Sequence, residues 1–525
     1  MTRRLDLPVL AAILLVAAVF AHTRCPEGSF DVWWHLATGR WIVEHGAVPT
    51  ADPFSYTRQG APWIAHEWGI DLVLYGLYKQ WGLYGLAIYR QVVVSASALL
   101  LYLLCTGAGA HPLVAYGCGL LLIQFIGPTL NARPQLLLPL LFLISLHCLI
   151  AHRRGRRAAI WGVPVLAAVW ANVHGGFLVL YFVLAFYALD RLFSGSPTEA
   201  ATPWRRFLGR LNWKAFGTVA AVSLVALAAT MLNPRGLTGA LYPFEYFVGE
   251  TKQYTNVIVE YASPNFSQRY MAIPGLALLG FVALLLVSRQ PTTLFDGLLL
   301  LFFTYSFLRW QRMVGIYGVV LLYAFAQHAT GHFGWRYRPN PGLTKPLFVW
   351  SILAVGVLLF VAGVPWLVPP QRMVDMGRYP AKAIEIARLN NVRGNLFNTY
   401  HYGGYILWQY YPRPVVFIDG RADVYGWQLF QDYQAISEAG EGWKRLLDRY
   451  SIAWVVVERE RALAKVLREM PDWHLLYGDR KSVLFVRDGP SNAEVIGRWK
   501  ARRLRLPRDV LLPDGAMAGA ADAVP

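Results

Sequence analysis

What most constrains this chain is the recurrence, through its first 368 residues, of long runs without a charge. Leu7 to Ala21, Met271 to Ser288 and Leu347 to Val368 are three of them. Each approaches or reaches the ~17–25 residues that a helix needs to cross a hydrocarbon core. The chain is 56% hydrophobic and 15% charged, below the charged fraction of roughly a quarter usual in soluble domains. Arg3 and Arg4 precede the first run, but no small-residue cleavage site follows before Cys25, so the run reads as a retained span rather than a signal peptide.

A formal charge of +18 would point to nucleic acid in a soluble protein. Here the Lys and Arg residues collect in short loops between apolar runs, which makes them a topology signal and excludes a nucleic-acid partner. With the Arg3/Arg4 end in the cytoplasm, alternation through the runs puts Arg153, Arg154, Arg156 and Arg157 on the same side. Arg205, Arg206, Arg210 and Lys214 follow, then Arg289, then Arg336, Arg338 and Lys345. About eleven spans are expected, at 7–22, 83–106, 112–127, 134–151, 158–172, 177–193, 215–232, 271–288, 292–308, 313–330 and 347–368. Two carry a charge, Arg90 and Asp296, each close enough to an end to reach the interface or to shorten the span. An odd count sends the C-terminus outside. Cys105, Cys118 and Cys148 lie in apolar runs and Cys25 stands alone, so no disulfide framework is implied.

The expected organisation is therefore a transmembrane domain, residues 1–368, whose long outer loop 23–82 carries interfacial helices, with Trp33 and Trp34 seating one of them in the headgroup layer. An extracytoplasmic domain, 369–505, and a frayed tail, 506–525, complete it. Asn395–Asn398, Val415–Asp419, Ala453–Glu458 and Val483–Arg487 read as short strands. Helical patterns separate them at Pro380–Leu389, Tyr405–Tyr411, Trp427–Glu438 and Arg461–Glu469, which predicts a small α/β domain.

Four outer turns hold polar residues: Asn131-Ala-Arg-Pro-Gln135, Asn172-Val-His-Gly-Gly176, Asn233-Pro-Arg-Gly236 and Arg309-Trp-Gln-Arg312. Gly and Pro make turns and Arg snorkels, and that bland reading accounts for any one of them. Together, on the side that positive-inside bias leaves poor in cations, they suggest an anion site such as a lipid phosphate built from Arg133, His174, Arg235, Arg309 and Arg312. The outer loop begins Phe30-Asp-Val-Trp-Trp-His35, and a helix there puts Asp31 and His35 on one face. Asp31 is the first choice for a general base, against the alternative that it is a helix N-cap. Asp52 before Pro53 is either a turn former or a second acid. His66 and Glu67 offer ligands that, with Asp31, suit Zn²⁺ or Mn²⁺, so a divalent metal is a candidate cofactor and no other cofactor is implied.

These features resemble the GT-C class of membrane glycosyltransferases: a cytoplasmic N-terminus, a first span followed at once by an acidic residue in a long outer loop with interfacial helices, and some eleven spans. The resemblance implies a hexosyl- or pentosyltransferase of the bacterial cytoplasmic (inner) membrane. It would move a sugar from a polyprenyl-phosphate donor to an extracytoplasmic glycan, lipid or protein acceptor by an inverting displacement, with Asp31 assisting the acceptor and His35 beside it. Val32 follows Asp31 where the commonest form of the motif has a second acid. The whole chain is also similar to bacterial multi-pass membrane proteins that share a DxWWH start, an NxHGG turn and a terminal GGY…DGR domain. The segment Asn398 to Tyr405, followed by Pro414 to Arg421, resembles the acceptor-binding stretch of oligosaccharyltransferases. That likeness implies that Tyr402, Asp419 and Arg421 face the membrane site, the alternative being an ordinary turn with a local Asp–Arg pair. Two other function classes stay open at this stage, a lipid-head-group transporter or flippase and a non-catalytic envelope assembly factor. No internal repeat favours the transporter.

Overall fold

The computed structural model describes residues 7–23, 27–195, 211–334, 373–507, 510–511 and 517–518. Seven of its helices are long and apolar enough to cross a membrane: Leu83–Gly107, Pro112–Thr129, Pro134–Arg153, Gly175–Leu192, Trp213–Thr230, Arg269–Val287 and Gln311–Phe333. Leu7–His22, Arg157–Ala171 and Leu294–Arg309 are shorter apolar helices of the same bundle. They correspond in position to the expected spans up to 330. The remaining one, 347–368, lies outside the described residues, as do Arg205, Arg206, Arg210, Arg336, Arg338 and Lys345.

Leu83–Gly107 is the central helix, packed against Leu7–His22, Pro112–Ile126, Leu138–Arg153 and Val314–Phe333. Its apolar faces are buried on all sides, as expected of a helix hydrophobic all round. The expectation that Arg90 snorkels to the interface is not met. Arg90 is fully buried, with Nη1 3.8 Å from Glu27 Oε2, because the chain leaving the first helix folds back over the bundle and brings a carboxylate to it. Glu27 also accepts from the backbone N–H of Ala132 at 2.8 Å, and thereby ties the start of the outer loop to the Asn131–Gln135 turn. Asp296, by contrast, sits in the first turn of Leu294–Arg309, where Thr293 and Asp296 bond each other as a helix cap.

The two ends of the bundle differ as the sequence implies. At one end Arg153 donates to Thr293 Oγ1 at 3.3 Å and Asp190 accepts from Phe295 N–H. At the other end the outer loop lies over the turns. Asn172 accepts from Trp68 Nε1 at 2.7 Å and from Gly69 N–H, and Arg235 donates to the carbonyls of Thr50 and Trp63, both at 2.8 Å.

The outer loop holds two helices, Val32–His45 and Trp68–Trp81, packed on each other. They do not rest on headgroups through Trp33 and Trp34. Trp33 is wholly buried, edge-on to Tyr379 and Tyr405 at ring separations of 5.6 and 5.5 Å and near Trp408 at 6.5 Å, so it seats the first helix on the C-terminal domain. An aromatic ring gains more by full burial against other rings than by half-burial at an interface.

The C-terminal domain is a four-stranded sheet of β1 (Asn395–Asn398), β2 (Ile452–Glu458), β3 (Trp473–Gly478) and β4 (Ser482–Arg487), in the order β1-β2-β4-β3. β1 runs parallel to β2 and the other neighbours are antiparallel. Helices Ala381–Leu389, Tyr400–Tyr410, Ala422–Ser437, Trp443–Arg449, Ala462–Arg468 and Ala493–Lys500 surround it. Val415–Asp419, expected as a strand, is not in this sheet. Val416 instead bridges Ser55 of the outer loop, Tyr56 N–H donates to Val416 O, and Thr57 Oγ1 donates to Phe417 O at 2.6 Å. Its β-branched character is used to pair with another region. The missed strand is β3, whose Trp-His-Leu-Leu-Tyr-Gly has no clean alternation. In the tail expected to fray, Val510–Leu511 pairs with Met517–Ala518.

Candidate functional site

A cavity of about 1200 Å³ lies where the membrane helices, the outer loop and the C-terminal domain meet. Its membrane-side wall is apolar, with Leu178, Val179, Phe182, Phe302, Tyr305 and Ile316, and Phe182 and Tyr305 are exposed. The rest of its wall mixes apolar residues such as Val257, Val259 and Met313 with a cluster of charged and polar side chains.

Asp31 is on that wall. It occupies the N-cap position of helix Val32–His45, yet its side chain makes no capping hydrogen bond. The carboxylate turns instead to Arg133, whose Nη1 donates to Asp31 Oδ2. The same guanidinium donates through Nη2 to Glu260 Oε1 at 2.6 Å. One arginine from the first polar turn thus bridges two carboxylates that are 229 positions apart in the chain. Burial works against the charge on Arg133, but Glu260 and Asp31 outweigh it and hold the guanidinium more firmly protonated than usual. Burial alone would raise Glu260, and Arg133 and Arg312 more than offset it.

Behind this bridge is a second polar group. His35 Nδ1 lies 2.7 Å from Asp71 Oδ1, both buried. Burial, helped by the positive charge of Arg133, keeps the His35 imidazole neutral, and burial followed by the charge of Glu67 raises the Asp71 carboxyl. Glu67 Oε1 lies 3.7 Å from Nε2 of both His66 and His174. Burial pushes Glu67 up to about 6 and keeps His174 neutral. His174 Nδ1 accepts from Gly176 N–H at 2.7 Å, so its proton sits on Nε2, facing Glu67. Trp34 Nε1 and Gln135 Oε1, both on the cavity wall, have no hydrogen-bond partner among the described residues. Buried polar atoms left open in this way are normally completed by a ligand or water.

Of the expected phosphate-binding residues, Arg133, His174, Arg309 and Arg312 line the cavity. Arg309 and Arg312 make no ion pair among the described residues, and Arg312 lies over the Tyr261 ring at 4.4 Å. Arg235 does not line it, because its guanidinium is spent on the carbonyls of Thr50 and Trp63. Nor does Asp52. It accepts from the backbone N–H groups of Phe54 and Ser55, as a turn former does, and is paired with Arg421 at 2.7 Å. Arg421 lines the cavity, and its guanidinium also takes Asp419 in a two-point grip, at 2.9 and 2.6 Å, so the local Asp–Arg pair forms as well. Tyr402 is buried toward the sheet and Asp419 is fully buried, and neither reaches the cavity. Among the described residues no three His, Cys, Asp or Glu side chains form a set that could hold a metal ion. Asp31, expected to join His66 and Glu67 in one, is taken up by Arg133.

The DxWWH start and the GGY…DGR segment meet at this site through two glycines. A Cβ on Gly404 would come within 2.7 Å of the Phe30 carbonyl oxygen, and one on Gly420 would run into the Asp31 carboxylate and lie 3.0 Å from Trp34 Nε1. The missing side chains let the C-terminal domain close over the helix that starts at Asp31.

Neither the protein-family models nor the curated proteins contain a match to this chain. Solved structures do. The oligosaccharyltransferase of Archaeoglobus fulgidus in its apo form is similar over 86% of this chain and 69% of its own, with a TM-score of 0.51 and 10% identity. The same enzyme tethered with an acceptor peptide containing the NVT sequon is similar over 91% and 74%, with a TM-score of 0.50 and 10% identity. The chain has the GT-C fold. ArnT from Cupriavidus metallidurans bound to undecaprenyl phosphate is also similar, over 92% and 98%, with a TM-score of 0.48 and 14% identity.

Within this GT-C fold, several cavity residues carried no sequence signal. Glu260 stands in Asn-Val-Ile-Val-Glu-Tyr, a polar-apolar run with neither turn motif nor charge partner nearby in sequence. Asp423, whose carboxyl is raised by burial, reads as the first turn of a surface helix but reaches the cavity beside His66 and Tyr242. Only their length of separation from Asp31 hid them.

Proposed function

We propose that this protein is a membrane glycosyltransferase that moves a sugar from a polyprenyl-phosphate donor to an acceptor at the outer face of the bacterial cytoplasmic membrane. The observation that carries this reading is the placement of Asp31: a carboxylate at a helix start that caps nothing and is aimed by Arg133 into a mostly apolar cavity with a polar cluster. The apolar wall, where Phe182 and Tyr305 are exposed, suits an isoprenoid tail arriving from the bilayer. Arg309 and Arg312, which make no ion pair among the described residues and sit at the end of that wall, suit its phosphate.

In the proposed reaction an acceptor oxygen attacks the anomeric carbon while Asp31 takes its proton. The bond from that carbon to the phosphate oxygen breaks, and the lipid phosphate leaves with the electron pair. Arg309 and Arg312 would stabilise the charge that grows there, which is where fixed cations lower a barrier most. Glu260 holds the other side of Arg133 and fixes the direction in which Asp31 points. A single displacement of this kind inverts the anomeric centre. The fold it shares with an oligosaccharyltransferase that takes an acceptor peptide supports the same class of chemistry.

The test is to incubate the purified protein in lipid with a panel of radiolabelled polyprenyl-phosphate sugars and to measure label leaving the lipid. Wild type should release label from at least one donor and Asp31→Asn should not. Donors that bind but are never cleaved would favour a transporter of lipid head groups instead.

A further inference from the structure

The residues around Asp31 form an ordered series. Arg133 bridges Asp31 and Glu260. Next to Glu260 in the chain, Tyr261 carries the Arg312 guanidinium on its ring. Next to Asp31, Phe30 carries the Arg378 guanidinium on its ring at 5.1 Å. Two aromatic-seated arginines therefore flank the bridged carboxylates, one reached through Glu260 and the other through Asp31.

The remaining cavity arginines are committed. Arg133 holds Asp31 and Glu260, Arg421 holds Asp419 and Asp52, and Arg461 holds Glu438 and Glu458. Arg378, like Arg309 and Arg312, makes no ion pair among the described residues. It is an exposed side chain at the rim of the cavity, seated on its neighbours. It lies against Gly28, where a Cβ would come within 2.6 Å of Arg378 Nη1, and His401 packs on the same Phe30 at 5.1 Å. An arginine held by a ring face and a glycine keeps its in-plane N–H donors free for an oxyanion.

One lipid-linked donor brings one phosphate, for which Arg309 and Arg312 suffice. We infer that Arg378 is the recognition residue for a second oxyanion, carried by the acceptor, so that the acceptor class is acidic: a glycan or glycolipid with a carboxylate or phosphate near the attacking hydroxyl. The inference rests on the glycosyl-transfer reading for the identity of the anion as acceptor, and on geometry alone for its binding.

Saturation-transfer NMR on the full chain in nanodiscs of zwitterionic lipid separates the two. The probes are methyl glucuronide, methyl hexoside 6-phosphate and the neutral methyl glucoside, with undecaprenyl phosphate present to fill the donor site. Wild type should bind both acidic probes at least tenfold more tightly than the neutral one. Arg378→Gln should abolish that preference, Arg378→Lys should restore part of it, and Gly28→Ala, which keeps the charge but displaces it, should weaken it. Arg413→Gln, an exposed arginine away from the cavity, should leave it intact. A wild type without acidic preference, or a preference that survives Arg378→Gln, overturns the inference. Because no turnover is needed, a chain that binds acidic probes through Arg378 yet cleaves no donor would sink the glycosyl-transfer reading while leaving this site standing.

Discussion

Arg421 of the C-terminal domain and Asp52 of the outer loop are paired at 2.7 Å with almost no exposure on either side. The pair joins two regions 369 residues apart. Phe54 and Trp63 close over the guanidinium at 5.0 and 4.8 Å. Arg421→Met leaves the carboxylates of Asp52 and Asp419 facing each other without a cation. Breaking a buried pair in this way costs about 3–5 kcal/mol. The expected result is a large fall in the thermal midpoint and rapid proteolysis of the outer loop. An unchanged midpoint would show that the two regions are held by their other contacts.

Gly420→Ala tests whether the GGY…DGR segment serves the site or only the fold. The added methyl meets the Asp31 carboxylate and Trp34 rather than backbone, so the chain should fold and Asp31 should be displaced. A misplacement of about 1 Å is worth roughly 100-fold in rate. Turnover should drop by that order with an unchanged melting curve. Wild-type turnover would mean that Asp31 has room to adjust.

The group around Glu67 predicts a pH effect whose sign can be worked out. Burial raises Glu67 from an ordinary value of 4.5 to about 6 in the folded chain. The fold therefore binds this proton more tightly than the unfolded chain does. Its contribution is fully present below about 4.5 and is lost as pH rises through about 6, a difference of about 2 kcal/mol at neutral pH. His35 and His174 act oppositely, since imidazoles held neutral favour the fold above their ordinary value and oppose it below. The difference between wild type and Glu67→Gln isolates the carboxyl. The variant should be the more stable at pH 7.5, and the gap should close by pH 4.5. Parallel stability curves would refute the assignment.

Arg309→Gln and Arg312→Gln should act on the donor. Removal of one charge-assisted contact to a phosphate costs about 1.5–3 kcal/mol, or roughly 10- to 150-fold in apparent donor affinity. The double variant should lose more than either single one, turnover at saturating donor should also fall because the charge growing on the phosphate loses its cations, and the KM for acceptor should be unchanged. Arg235→Gln should not affect donor affinity, since its guanidinium holds the carbonyls of Thr50 and Trp63.

The apolar runs determined by themselves that the chain is a membrane bundle and where its helices lie, because a stretch of 16–25 apolar residues has one physical solution in lipid. The same local logic picked out Asp31, Arg133, His174, Arg309 and Arg312, which line the cavity, and also Arg235, which does not, since a charge on a turn can equally be spent on nearby carbonyls. Tertiary structure decided everything that depends on what a residue meets. Trp33 reads as an interface anchor, and only the presence of Tyr405 and Trp408, some 370 positions away, makes full burial the better state. Val415–Asp419 has the composition of a sheet strand, yet pairs with Ser55 to Thr57. Asp31 was readable as a cap or as a base, and what settled its direction was Arg133, fixed in place by Glu260. An ion pair has no periodicity, so no pattern along the chain records which carboxylate a guanidinium will find.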